Sequence, residues 1–147
     1  MIEIIKANAD HAGIVGILLE ALFQEVGHTP DRETIEAIFP TIDESDNHLT
    51  LLALDDDGDP AGIITIAETL ALYAGGWIGV INELYVVEQF RSEGVGKMLI
   101  DAVKELAEMK DWKRLEVTTP GEEFERTIRF YERQGFFTIG PRMKCEF

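Results

Sequence analysis

Apolar positions along the chain change period several times, and each change marks an element. Ile2 to Ala7 is mostly aliphatic and predicts a first strand. Between Asp10 and Val26, the residues Ile14, Val15, Leu18, Leu19 and Leu22 recur at three- and four-residue spacing, which predicts a helix that Gly27 ends. Asp31 to Phe39 repeats the helical period more briefly, with Ile35 and Ile38 inward. His48 to Leu54 and Ala61 to Leu70 read as strands on either side of an Asp-Gly turn over Asp55 to Asp59, so they predict a hairpin. Gly75-Gly76, within Tyr73 to Gly79, predicts the turn into a central strand at Ile81 to Val87, apolar apart from Asn82 and Glu83 near its start.

From Gly94 the period becomes helical again through Val95, Met98, Leu99, Ala102, Val103 and Leu106, ending near Lys110. Arg114 to Thr118 is the next strand. One helix joins it to the central strand, so the two are expected to run parallel through a right-handed crossover. Thr119-Pro120-Gly121-Glu122 carries the signals of a helix start. Phe124, Ile128 and Tyr131 share one face of that helix, Gly135 stops it, and Phe136-Phe137 and Met143 to Phe147 are expected as closing strands. The sum is an α/β fold: a mixed, mostly antiparallel central sheet flanked by helices, in a single domain over residues 1–147.

The most informative stretch is Ile81 to Lys97, INELYVVEQFRSEGVGK: strand, turn, and two glycines at the mouth of a helix. First-turn amides lack intrahelical partners and the helix dipole places positive potential there, so the layout suits an anion. Spacing separates the usual phosphate loops. A P-loop needs GxxxxGK followed by Ser or Thr, whereas here Gly96-Lys97-Met98 follows a single two-residue step; a dinucleotide fingerprint would need glycine at Leu99. Arg91-Ser92-Glu93-Gly94-Val95-Gly96 instead resembles motif A of the GNAT acyltransferase superfamily. LYVVEQFRSEGVGKML resembles that family's strand-turn-helix, and FYERQGF, Phe130 to Phe136, its later helix-to-strand segment.

The resemblance covers most of the chain and implies the GNAT fold, with a splayed parallel pair of central strands. It also implies acetyl-CoA as co-substrate, no metal, and an amine acceptor that is a small molecule or a peptide. Backbone groups of Leu84, Tyr85 and Val86 would bond the pantetheine arm. Amides of Ser92, Glu93, Gly94, Val95, Gly96 and Lys97 would hold the pyrophosphate, and Arg91 and Lys97 would add positive charge, unless surface ion pairs consume it. The early helical region would form the acceptor side of the cleft. One position departs from the family: many members have asparagine seven residues before the tyrosine, and this chain has Phe124.

Charge and composition narrow the partners. A formal net charge of −15 on 147 residues disfavours nucleic acid and favours cationic acceptors, although solubility alone also accounts for it. No window is long and apolar enough for a membrane span, and MIEIIKANAD lacks signal-peptide character, so a cytoplasmic protein is expected. Cys145 is the single cysteine, expected to be structural in a terminal strand. The acidic run Asp55 to Asp59 lacks the glutamate that an EF-hand requires and is expected to be a solvated turn. The sequence leaves a homodimer open.

Acetylating an amine requires the amine neutral and a proton for the departing thiolate. At neutral pH an alkylamine is about one part in a thousand neutral, and deprotonating it costs about 4 to 5 kcal/mol without a base. Glu83 is the candidate base, directly or through water; its alternative is an exposed carboxylate or a local hydrogen-bond partner. With strict alternation Asn82 would face away from it. Tyr131 is the candidate acid, its alternative a core aromatic. Two other readings of the whole chain are a non-catalytic acyl-CoA sensor and an interaction protein with a degenerate site.

Overall fold

The computed structural model describes residues 1–27, 30–119 and 124–147. Five strands form one sheet in chain order: β1 (Glu3–Lys6), β2 (His48–Leu54), β3 (Pro60–Ala71), β4 (Gly76–Val86) and β5 (Leu115–Val117). The first four are antiparallel and β4 pairs with β5 in parallel, as the sequence predicts. Helices α1 (Ala12–Val26) and α2 (Arg32–Glu44) cover one face; α3 (Val95–Met109) covers the other, and α4 (Glu125–Arg133) packs on that side through Phe130 and Tyr131.

Alternation along the strands builds both cores. Leu52 and Ile63 face α1 and α2, meeting Val15, Leu18, Leu19, Ile35 and Phe39. Leu51, Ala53, Ile64 and Ile66 face Val95, Leu99, Ile100 and Val103 of α3. A fully buried Leu, Ile or Val side chain is worth about 1.5 to 3 kcal/mol, so burial on both faces makes β2 and β3 the backbone of the fold. Gly79 fits the same logic: a Cβ there would lie 2.4 Å from the Trp112 ring, so only glycine lets that indole lie across β4.

Several boundaries differ from expectation. The α1 helix is preceded by a 3-10 turn at Ala9–His11, which Asn8 caps by accepting from the Asp10 amide at 2.9 Å. The α2 helix passes through Pro40 to Glu44, and it buries Phe39 with Ile35 while Ile38 is exposed. The central strand starts at Gly76, earlier than Ile81, because β3 continues to Ala71 and supplies partners that far. The proposed start of α4 at Pro120 to Glu122 lies outside the described residues.

The expected closing strands are not formed. Residues 136–147 have no regular structure, and Phe137, Ile139, Met143 and Phe147 are exposed. Their alternating apolar pattern predicts a strand, but a pattern forms one only beside a partner with free backbone groups, and β5 is three residues long. Cys145 is accordingly exposed and lies outside any strand. Asp55 to Asp59 is a tight turn in which Asp55 Oδ1 accepts from the amides of Asp57 and Asp59, each at 2.9 Å. Among the described residues no helix is long and apolar enough to cross a membrane.

Candidate active site

The site originates in a failure of pairing. β4 and β5 run together only over Gly79↔Leu115, Val80↔Glu116 and Ile81↔Val117; beyond Ile81 they part. An open groove of about 1430 Å³ runs along the parted ends, bordered by β4, the Arg91–Lys97 turn, the last turn of α1, and α4. This is the carboxyl end of two parallel strands, where crossover folds bind ligands. A smaller cavity of about 310 Å³ near Asp43, Thr50 and Glu68 contains none of the motif residues.

A bulge sets the second feature. Thr65 pairs with Glu83 and Ile66 with Ile81, so Asn82 is an extra residue in β4. The bulge reverses the alternation, placing Glu83 on the face of Tyr85, Ile63 and Thr65 rather than that of Ile81. Asn82 is exposed and lines the same groove as Glu83, contrary to the strict alternation expected from sequence. Glu83 is half-buried. The Thr65 hydroxyl donates a short hydrogen bond to its Oε1 and accepts from its backbone amide at 3.0 Å. Burial raises the Glu83 pKa above the ordinary 4.5, and the Thr65 bond pulls the other way.

The turn before α3 is conditioned by Gly94, which sits at φ +82 as the helix N-cap, and Ser92, which is also left-handed at φ 70. No side chain caps α3, so the amides at Val95, Gly96 and Lys97 lack the partner that a Ser or Asp cap would provide. Ser92, Gly94, Val95, Gly96 and Lys97 line the groove. Glu93 does not, and its amide already donates to Phe90 O at 3.4 Å. Gly96 lies close under α4: a Cβ there would meet the Phe130 ring at 3.0 Å, so the ring would have to give way.

Arg91 and Lys97 are not free cations. Arg91 donates through Nε to Val86 O at 2.9 Å, reaches both Glu25 carboxylate oxygens at 2.9 Å, and lies 5.4 Å from the Tyr85 ring centre. It thereby ties β4 to the end of α1; burial and then the Glu25 charge raise the Tyr85 pKa, while Arg91 pulls it down. Lys97 pairs with Asp101 one turn on, at 2.6 Å. Leu84, Tyr85 and Val86 all line the groove on the stretch of β4 that β5 has left, although Val86 O is taken by Arg91.

Tyr131 lines the groove from α4 while its ring packs edge-on against Phe130 at 5.2 Å and Phe136 at 5.5 Å. Its exposure is 7% and burial raises its pKa, so the phenol stays protonated well beyond neutrality. No hydrogen bond to its hydroxyl is formed among the described residues. Phe124 is the residue before α4, gives no side-chain cap, and lines the groove. The early helices contribute unequally: Leu22, Phe23, Glu25 and Val26 of α1 reach the groove, and no residue of α2 does.

Sequence reasoning missed the arginines. Arg126, Arg133 and Arg142 border the groove with Arg91 and Lys97, five cations against the four carboxylates of Glu25, Glu83, Glu88 and Glu125. In a chain of net charge −15 the groove is the electrostatic exception. Arg142 comes from the irregular C-terminal segment and is anchored to Thr118 Oγ1 at 2.6 Å. The excess of arginine from Arg126 onward was the available signal.

Parted parallel strands, an uncapped helix start and an arginine-bordered groove define an α/β fold with an open crossover at its centre. Residues 13–136 match the acetyltransferase (GNAT) family, and the chain belongs to that family, whose members are N-acetyltransferase enzymes. No curated protein sequence matches the chain. Among solved structures it is similar to a ribosomal-protein-alanine N-acetyltransferase from Brucella melitensis biovar Abortus 2308, at 22% identity and TM-score 0.81, covering 100% of this chain and 99% of that one. It is also similar to an aminoglycoside acetyltransferase from an uncultured soil metagenomic sample, at 20% identity and TM-score 0.82, covering 100% and 99%. A transcriptional regulator from Bacillus halodurans C-125 aligns at 20% identity and TM-score 0.85 over 100% of both chains. At these identities the likeness is one of fold.

Proposed function

We propose that the protein transfers an acetyl group from acetyl-CoA to a primary amine of a small cationic molecule or peptide, by direct attack within a ternary complex. The observation that carries the proposal is the groove: it joins an uncapped helix start to a strand edge without a partner and places Glu83 and Tyr131 on its walls. Acetyl-CoA supplies the activated carbonyl and a thiolate leaving group. The donor set fits it, because free first-turn amides and five cations suit phosphates, and the parted edge of β4 suits an extended amide-bearing arm.

Glu83 takes the proton of the amine, directly or through a water, as the nitrogen bonds to the carbonyl carbon. Tyr131 gives its proton to the sulfur as the C–S bond breaks, so that protons balance across the groove. The burial that keeps Tyr131 protonated also makes it a weaker acid, so the transfer depends on the thiolate being held in the same poorly solvated pocket. In this reading Arg91 gives charge to the phosphates only by loosening its grip on Glu25, and its main work is to fix the rim.

The test is a panel of polyamines, aminoglycosides, amino acids and peptide N-termini incubated with acetyl-CoA and assayed for acetylated products by mass spectrometry. Acetylation of at least one cationic amine is expected. CoA binding with no product on any amine would favour an acyl-CoA sensor, and no binding at all would favour an interaction protein on this scaffold.

A further inference from the structure

Thr65 belongs to no motif, yet it makes two bonds to one residue. From β3 its hydroxyl donates to Glu83 Oε1 and accepts from the Glu83 amide at 3.0 Å. A hydroxyl has one proton and two lone pairs, so using the proton on the carboxylate and a lone pair on the amide fixes its rotor. The Asn82 bulge makes this geometry available: without the extra residue, alternation would point Glu83 to the opposite face from Thr65. Thr65 itself is 9% exposed and its χ1 is stiff by β-branching, so few rotamers compete with the one that makes both bonds.

We propose that Thr65 is the positioning residue of the reaction: its hydroxyl binds one oxygen of Glu83 and thereby presents the other, Oε2, to the acceptor amine. The inference rests on the reading of Glu83 as general base. Among the described residues Oε2 has no hydrogen-bond donor. Of the titratable groups on the surrounding elements, Glu25 on α1, Tyr85 near the end of β4, Glu88 and Arg91 in the turn that follows, and Tyr131 on α4, none hydrogen-bonds to Glu83. Among the described residues Thr65 is thus the one side chain that hydrogen-bonds the carboxylate, and its bond favours the ionised form against the burial that disfavours it. A neighbouring threonine provides an internal control. Thr50 pairs directly with Thr65 across β2 and β3 on the same face, but its hydroxyl makes no bond to Glu83.

The experiment compares pH profiles of kcat and kcat/KM for wild type, Thr65→Val, Thr65→Ser, Thr50→Val and Glu83→Gln, alongside NMR titration of the 13C-labelled Glu83 carboxyl in the first four. Thr65→Val should move the acidic limb and the Glu83 titration to higher pH together and lower kcat about tenfold or more on the plateau. Thr65→Ser should restore both and Thr50→Val should change neither. If Thr65→Val does not fold, Thr65→Ala replaces it with the same expectation. An unshifted Glu83 titration in the folded variant overturns the inference, as does a shift equalled by Thr50→Val. Should Glu83→Gln keep full activity and the acidic limb, the base reading fails. Should it lose them while the Thr65 variants match wild type, only the role of Thr65 fails.

Discussion

At the scale of residues, the chemistry of the groove depends on hydroxyls and carboxyls held out of water. Because burial raises the Glu83 pKa, the native state holds that proton more tightly than the unfolded chain does. Its favourable contribution is therefore complete below the ordinary carboxyl range and is lost as pH rises through the raised native value, beyond which a half-buried charge opposes folding. Glu83→Gln should accordingly melt higher than wild type at alkaline pH, with a smaller difference in acid, while losing about 10²- to 10⁴-fold in kcat. A lower melting temperature at alkaline pH would mean that the carboxylate is better paired than its single threonine bond suggests. Tyr131→Phe keeps the edge-on packing with Phe130 and Phe136 and removes only the hydroxyl. Its kcat should fall about 10²- to 10⁴-fold with acetyl-CoA affinity little changed; undiminished turnover would leave Tyr131 a core residue alone. Thr50 offers a prediction without chemistry, since its Oγ1 is buried and has no protein partner among the described residues. Thr50→Val should raise stability by about 1 to 3 kcal/mol in denaturant unfolding, and a loss instead would show that the hydroxyl is satisfied.

At the scale of elements, glycines at three positions have separable jobs. Gly94 is needed for a left-handed backbone in open space, so Gly94→Val should abolish the rise in melting temperature that CoA produces and leave the fold in place. At 100 times its dissociation constant a ligand adds about 2.7 kcal/mol, which makes that loss easy to read. Gly79→Ala should do the reverse, costing about 1 to 3 kcal/mol through its clash with Trp112 while CoA still stabilises what folds. Gly96 is intermediate, since its Cβ would push on Phe130 and hence on α4. The order of elements, the parallel crossover and the turn at Gly94 were legible in the sequence, because period, turn chemistry and helix starts are local properties. The Asn82 bulge was not, since it is decided by what β3 presents opposite. Nor was the Arg91–Glu25 pair, whose members are 66 residues apart. The alternating pattern of residues 136–147 misled because alternation records a preference for a sheet edge and says nothing of whether an edge is offered.

At the scale of the whole molecule, charge divides the surface in two. The groove is balanced by its five cations, so the rest of the chain carries the entire acidic excess. A cationic acceptor is drawn by the exterior and an anionic donor is tolerated by the groove. Raising salt shortens the reach of the exterior field to roughly 8 Å at physiological ionic strength. The KM of a cationic acceptor should therefore rise with salt more steeply than that of acetyl-CoA, and equal slopes would leave the acidic surface a matter of solubility. All of this presupposes that the groove transfers an acetyl group to an amine. The most direct measurement supplies acetyl-CoA with an isotopically labelled acetyl group, together with the amine panel, and follows by mass spectrometry where the label goes. The account predicts that label appears on a cationic amine in step with free CoA and that the Glu83→Gln and Tyr131→Phe variants slow its appearance. CoA bound in the groove, with the label remaining on acetyl-CoA for every amine tried, would contradict it.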